Sequence, residues 1–312
     1  MRATSLTTAL AIGLVISVAQ AFAGGTVENS LFSGGSGRVG IVAAENFYGD
    51  IASQIAGPYA TVRSILADPN IDPHQYESDV NDAKSIAVAS LVIENGGGYD
   101  SWMDRLLAAS PQPKRLVIKG YEVAPLKLPD NVHVWYSPKN AEAIAAKIAA
   151  DLASIDPAHA QQFDHNLTLF SESLAPITAK MNEISAQYAG TPIALTETIF
   201  QYQSVPMALK VITPFSFQKA IAEGNDPPAS SILAAENQIR NREVKLLIYN
   251  EQTVDKITTS MQQDAKAAGI PVVPVTETMP RNRHYQSWMM SQLAAVEAAL
   301  SGRTTGTGTT AQ

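Results

Sequence analysis

Four short segments carry residue types able to hold a metal ion: Asp72-Pro73-His74, Val132-His133-Val134-Trp135, Thr196-Glu197-Thr198 and Thr276-Glu277-Thr278. Two neutral imidazoles and two carboxylates together suit a borderline-to-hard divalent cation. Each residue also has an ordinary reading. His74 sits in a loop, where a histidine is commonly just polar surface, although Pro73 fixes the backbone ahead of it and lowers the entropy cost of ordering the ring. His133 lies in an alternating pattern, with Val132 and Val134 on one face and His133 and Trp135 on the other, and could be a core histidine held by hydrogen bonds. Glu197 follows the apolar run Ile193-Ala194-Leu195 and could cap a helix, as its threonine neighbours could. Glu277 repeats that arrangement after residues 272–275, and two Thr-Glu-Thr strand ends in one region fit capping alone less well. Of the other histidines, His159 and His165 read as solvated helix residues. His284 is a possible substitute ligand, disfavoured by the cations Arg281 and Arg283 beside it.

Positioning such a set requires a scaffold, and the chain has the pattern of one. Strand-like apolar runs at 38–43, 61–66, 91–94, 116–118 and 132–135 alternate with helical spacing at 47–56, 79–89 and 102–109. Residues 140–154 are Ala-rich and helical, and Asp156-Pro157 closes that helix and opens another. Helical spacing then runs from 158 to 188, up to Gly190. A helix of that length would span roughly 45 Å, with a kink at Pro176. Afterwards the alternation resumes, with strands at 192–196, 245–249 and 272–275 and helices at 230–241, 254–268 and 285–300. The fold class expected is α/β, two similar α/β lobes with mainly parallel sheets joined by one long helix.

The ends bear on location. Arg2 and the apolar stretch 10–18, followed by Ala19-Gln20-Ala21 and Ala21-Phe22-Ala23, read as a signal peptide at 1–23, too short in its apolar part to span a membrane. Residues 24–37 read as a flexible spacer and 302–312 as a disordered tail. Between them lie an N-terminal metal-binding lobe (38–157), a linking helix (158–189) and a C-terminal metal-binding lobe (190–301). The chain contains no cysteine, so neither a disulfide framework nor a lipidated cysteine is expected, and the mature protein is expected free in the periplasm. A net charge of −7 argues against nucleic acid, whose phosphates need a basic face.

Taken together, the segments resemble the metal-binding receptors of bacterial ABC importers for manganese, zinc and iron, the cluster A-I solute-binding proteins. Asp72-Pro73-His74-Gln75-Tyr76-Glu77 looks like that family's first histidine motif and Val132-His133-Val134-Trp135-Tyr136-Ser137-Pro138 like its second. The stretch from Val92 to Met103, through Gly96-Gly97-Gly98-Tyr99, looks like its strand, glycine turn and helix. Thr196-Glu197-Thr198-Ile199-Phe200-Gln201-Tyr202 is similar to the third-ligand segment, and Asp226-Pro227-Pro228-Ala229-Ser230 to the stretch beyond. The resemblance implies His74, His133, Glu197 and Glu277 as ligands, the last replacing the family's usual aspartate. It implies a monomer that carries Mn²⁺, Fe²⁺ or Zn²⁺ as cargo to a membrane permease and its cytoplasmic ATPase. The His/Asp-rich loop of dedicated zinc receptors is missing between Gly120 and Asn131, and a glutamate at the third position moves the set towards oxygen, so manganese or iron is favoured with zinc close behind.

Two other readings compete. A metallohydrolase would keep a coordination position open for water, but the chain lacks a His-Glu-x-x-His helix, a Gly-x-Ser-x-Gly elbow and any cysteine nucleophile. A receptor for a metal chelate, a siderophore or corrinoid, would use Trp135, Tyr202, Arg281 and Arg283 and leave the two histidines without a role.

Overall fold

The computed structural model describes residues 38–68, 71, 73 and 76–302. The expected signal peptide and spacer, almost all of the expected tail, and the candidate ligand His74 lie outside the described residues.

The first half begins with β1 (Val39–Glu45), which passes directly into α1 (Asn46–Ala56), and continues through β2 (Ala60–Leu66), α2 (Val80–Val88), β3 (Leu91–Glu94), α3 (Ser101–Ala109), β4 (Leu116–Lys119) and the one-turn α4 (Gly120–Val123). A 3₁₀ turn (Val134–Tyr136) leads into α5 (Pro138–Ile155). Two helices then connect the halves, α6 (Ala160–Ser173) and α7 (Ala175–Tyr188). The second half comprises β5 (Pro192–Leu195), α8 (Gln201–Ser204), β6 (Lys210–Val211), α9 (Phe215–Ala222), α10 (Ala229–Arg240), β7 (Leu247–Asn250), α11 (Lys256–Ala267), β8 (Val272–Val275) and α12 (Tyr285–Leu300).

Each half holds one four-stranded sheet, and every strand pair in both is parallel. The orders are β2-β1-β3-β4 and β6-β5-β7-β8, the same arrangement twice, although the sequence carries no strong internal repeat. All residues of β1 and β3 are buried, as continuous apolar runs are when helices cover both sheet faces. Helix starts follow local chemistry. Asp79 caps α2 and Asp255 caps α11, each in a reciprocal capping box, while Pro138 takes a first-turn position of α5, where its missing N–H costs nothing. Strand order reverses between β1 and β3 and again between β5 and β7, so ligand chemistry is expected at the carboxyl ends of those strands.

Two expectations need correcting. The segment 132–135 is not a strand. Its backbone bonds locally: the N–H of Val134 reaches Val132 O (2.8 Å), that of Tyr136 reaches His133 O (3.1 Å), and that of Ser137 reaches Val134 O (3.2 Å). The Asn131 side chain takes the N–H of His133 at 3.0 Å, an Asx-type turn that replaces a sheet ladder. The joining helix is also not continuous. It is interrupted at Leu174, two residues before Pro176, which has no N–H for the carbonyl of Glu172 and whose ring crowds it. Leu174 keeps right-handed helical angles (φ −82°, ψ −18°), so the interruption is a local break. The short strand β6 and helix α9 were not anticipated.

One apolar core runs through both halves, from Ile41 and Phe47 through Trp135, Tyr136 and Phe163 to Phe200, Trp288 and Val296. Phe47 stacks on Trp135 (centroids 4.5 Å apart) and on Trp288 (6.1 Å). Hydrogen bonds cross the same boundary: Tyr285 Oη donates to Trp135 O (2.7 Å), Tyr136 Oη lies 2.6 Å from Thr276 O, and Asn46 exchanges two bonds with the backbone of Met279.

Candidate metal centre

His133, Glu197 and Glu277 converge. Each offers a ligand atom such that these atoms lie within 4.8 Å of one another, and the residues are 1 %, 1 % and 0 % exposed. Different elements deliver them. His133 heads the 3₁₀ turn of the first half, Glu197 follows β5 after Thr196 at the point where strand order reverses, and Glu277 follows β8 after Thr276. Thr196 anchors its segment to β7, accepting the N–H of Asn250 on Oγ1 (3.3 Å) and donating its own N–H to Ile248 O (3.0 Å). Two carboxyl groups buried this close disfavour each other's ionisation, and a divalent cation between them would stabilise both charges.

The hydrogen-bond network assigns the imidazole tautomer. Asn131 Nδ2 donates to Thr198 O at 2.8 Å, so Asn131 Oδ1 faces the backbone N–H of His133 and its ring Nδ1, 2.9 Å away. Nδ1 therefore carries the proton, and Nε2 keeps the lone pair that a cation needs.

Glu277 is held by three donors. Oε1 accepts from Asn250 Nδ2 (2.6 Å) and from Thr253 Oγ1 (3.4 Å), and Oε2 accepts from the hydroxyl of Tyr99 (2.8 Å). Its backbone is fixed as well, because Gln252 Oε1 accepts the N–H groups of Glu277 and Thr278 at 2.7 and 2.9 Å. The same glutamine donates through Nε2 to Ile71 O (3.0 Å), tying the residue just before the first histidine motif to the Glu277 segment.

Tyr99 comes from the first half, on a turn in which Gly96, Gly97 and Gly98 all have positive φ. A Cβ on Gly97 would meet the Tyr121 ring at 2.9 Å, so only glycine fits there. Asp100 pins the turn, accepting the N–H of Asn95 (2.6 Å) and of Gly96 (2.7 Å). Burial raises the pKa of Tyr99 well above the ordinary phenol value, with Glu277 adding to the effect, so the hydroxyl stays a donor.

Behind this turn lies a second set of buried acids. Burial raises the pKa of Glu45, helped by Asp100 and Glu94, and burial also raises that of Asp100 against the two N–H groups it accepts. Glu94 is pushed up to about 7 by burial, despite Lys119 Nζ at 3.0 Å. These acids, with Tyr99, Asn131 and Asn250, were not among the expected site residues. The glycine run ahead of Tyr99 and the placement of Asn131 two residues before His133 were the available signals.

The other described histidines stay apart from the centre. His284 is exposed and its Nδ1 lies 2.7 Å from Asp50 Oδ1. His159 pairs with Asp156 and stacks on Tyr59, and His165 is exposed. A crevice of about 320 Å³ reaches His133 and Tyr99 from the surface, with Asp130, Lys219 and Glu223 at its rim.

Comparison with known proteins follows the same lines. The family model for ZnuA, the periplasmic component A of the zinc-uptake complex, matches residues 41–299. The iron-binding protein YfeA of Yersinia pestis is 27 % identical over 222 residues, covering 68 % of each chain. The manganese ABC transporter substrate-binding lipoprotein PsaA of Streptococcus anginosus is 25 % identical over 284 residues, covering 85 % of this chain and 90 % of its own. Among solved structures, the periplasmic zinc-binding protein TroA of Treponema pallidum superposes with a TM-score of 0.73 at 17 % identity, covering 85 % of this chain and 99 % of its own.

Proposed function

The chain belongs to the family of the periplasmic zinc-uptake component ZnuA, and on that premise we propose that it captures a divalent transition-metal ion and hands it to the permease of an ABC importer driven by a cytoplasmic ATPase. One observation carries the reading: an imidazole and two carboxylates, all buried, with ligand atoms within 4.8 Å of one another. His133, Glu197 and Glu277 are the proposed ligands. His74 is the proposed fourth, supported by the family's first histidine motif and by the bond of Ile71, three residues before it, to the Gln252 that also holds Glu277.

The three relatives are named for iron, manganese and zinc, so family membership alone leaves the cargo open. Two carboxylates favour Mn²⁺ or Fe²⁺ over a softer cation, while Zn²⁺ binds any such site tightly and competes. Four protein ligands would fill the tetrahedron of Zn²⁺ and leave no position for an activated water there, which supports the carrier reading over a hydrolytic one. A chelate receptor fits less well. Trp135 and Tyr202 are packed in the core, and Arg281 is 71 % exposed at its side chain beside Asp68.

The proposed division of labour is a first lobe (38–157), a joining segment (158–189) and a second lobe (190–301), acting as a monomer outside the cytoplasmic membrane. Relatives such as PsaA are named lipoproteins. This chain has no cysteine to carry a lipid, which supports a soluble periplasmic form. Osmotic-shock fractionation tests that placement.

The function is tested by metal analysis of protein purified without chelator, followed by competition among Mn²⁺, Fe²⁺ and Zn²⁺. A ligand at a hundred times its Kd raises stability by about 2.7 kcal/mol. Protein without bound metal, and without a thermal shift on adding any of the three, would sink the proposal.

A further inference from the structure

We infer that Tyr99 is a specificity-determining residue, setting which divalent ion the centre prefers by fixing how the Glu277 carboxylate meets it. The inference rests on the metal-carrier reading and adds a role for a residue that touches a ligand without being one.

The first support is geometric. The Tyr99 hydroxyl holds Oε2 at 2.8 Å while Asn250 holds Oε1 at 2.6 Å, with Thr253 adding a longer contact to Oε1. Donors on both oxygens fix the plane of the carboxylate. Turning that plane to offer a single oxygen breaks at least one charge-assisted bond. Zn²⁺ in protein sites is almost always four-coordinate, with short bonds to single ligand atoms. Oxygen-preferring ions such as Mn²⁺ accept more ligand oxygens and octahedral geometry. A carboxylate held in plane by donors on both oxygens resists swinging to the single short bond that four-coordinate Zn²⁺ asks for, and so favours the higher-coordinate ion.

The second support is the construction around the phenol. Its turn needs three consecutive glycines at positive φ and is pinned by Asp100. The ring, 3 % exposed, packs against Trp135 with centroids 4.8 Å apart and edge-on to His133 at 6.0 Å. Tyr99 thus touches one candidate ligand from its own half and bonds to another from the opposite half. A phenylalanine would fill the same space without the hydroxyl, so the bond can be removed while the packing is kept.

The test compares the wild type with Tyr99→Phe in the complete mature protein, using isothermal titration with Mn²⁺ and with Zn²⁺. The expected result is a fall in Mn²⁺ affinity of roughly tenfold or more, the scale of lost outer-shell contacts at metal sites, with Zn²⁺ affinity held or raised. An unchanged ratio of the two affinities, or equal losses for both metals, would overturn the inference while leaving the carrier function intact. A wild type that binds neither metal would overturn the carrier reading itself, and this inference with it.

Discussion

The Nδ1 atom of His133 lies 2.9 Å from Oδ1 of Asn131, and the amide of Asn131 is itself tied to Thr198 O at 2.8 Å. A backbone carbonyl after β5 thereby decides which ring nitrogen of a first-half histidine keeps its lone pair. Replacing Asn131 with leucine removes the acceptor and frees the tautomer, and metal affinity should fall about 10- to 100-fold. Asn131→Asp keeps an oxygen opposite Nδ1 and should retain most of the binding. Titration calorimetry on both variants decides it, and equal losses would count against the tautomer role.

Glu197 and Glu277 together supply the negative charge that a divalent cation at this centre would neutralise. Neutralising one, as Glu197→Gln or Glu277→Gln, should abolish the thermal shift on metal addition. Metal-free Glu197→Gln should melt no lower than the metal-free wild type, because one of two crowded buried carboxyl groups becomes a neutral amide. In Glu277→Gln the amide nitrogen meets a donor, Asn250 or Tyr99, and the metal-free protein should melt lower. Melting curves with and without Mn²⁺ measure both effects. Glu277→Asp withdraws the carboxylate by one methylene from Tyr99 and Asn250 and should weaken binding without abolishing it.

Glu94 gives the fold a pH dependence of definite sign. Its pKa rises from 4.5 in the unfolded chain to about 7 in the folded one, chiefly through burial. The folded state therefore binds the proton more tightly, so this group's contribution is full below pH 4.5 and is lost as pH rises through about 7. Urea titrations across that window should show the Glu94→Gln variant losing less stability than the wild type as pH rises. Parallel curves would contradict the assignment.

Gly97 combines φ +65° with a Tyr121 ring 2.9 Å from the missing Cβ. Gly97→Ala should cost about 1–3 kcal/mol from overpacking and backbone strain. Because the turn carries Tyr99, metal affinity should drop together with the denaturant midpoint. Loss of neither would mean that the turn adjusts freely.

Much of this was legible in the sequence because it was local. Apolar runs bounded by turn residues marked β3, β8 and α12 to the residue, and helical spacing over 79–89 marked α2 to within one residue at each end. His133, Glu197 and Glu277 were each identifiable by position, two of them just past strand ends. What the sequence did not reveal was set by partners distant along the chain. The valines around His133 alternate like a strand, yet Asn131 and Asn140 capture that segment's polar groups and curl it into a 3₁₀ turn. Tyr99 read as part of a glycine turn, and its bond to Glu277 spans 178 positions. The break at Leu174 was foreshadowed by Pro176, since proline acts on the preceding turn wherever it occurs.

The apolar interior shared between the halves has a consequence for how the molecule comes apart. Severed near Gly190, the first piece would leave Phe47 without Trp288 above it and the Trp135 carbonyl without the Tyr285 hydroxyl. The second piece would bare the opposite faces of the same contacts. Neither fragment keeps a dry interior, so the whole chain should melt in a single transition whose calorimetric and van't Hoff enthalpies agree. A metal ion held by four side chains would then raise the melting point of the α2 and α10 surfaces, far from the centre, as much as that of the centre itself.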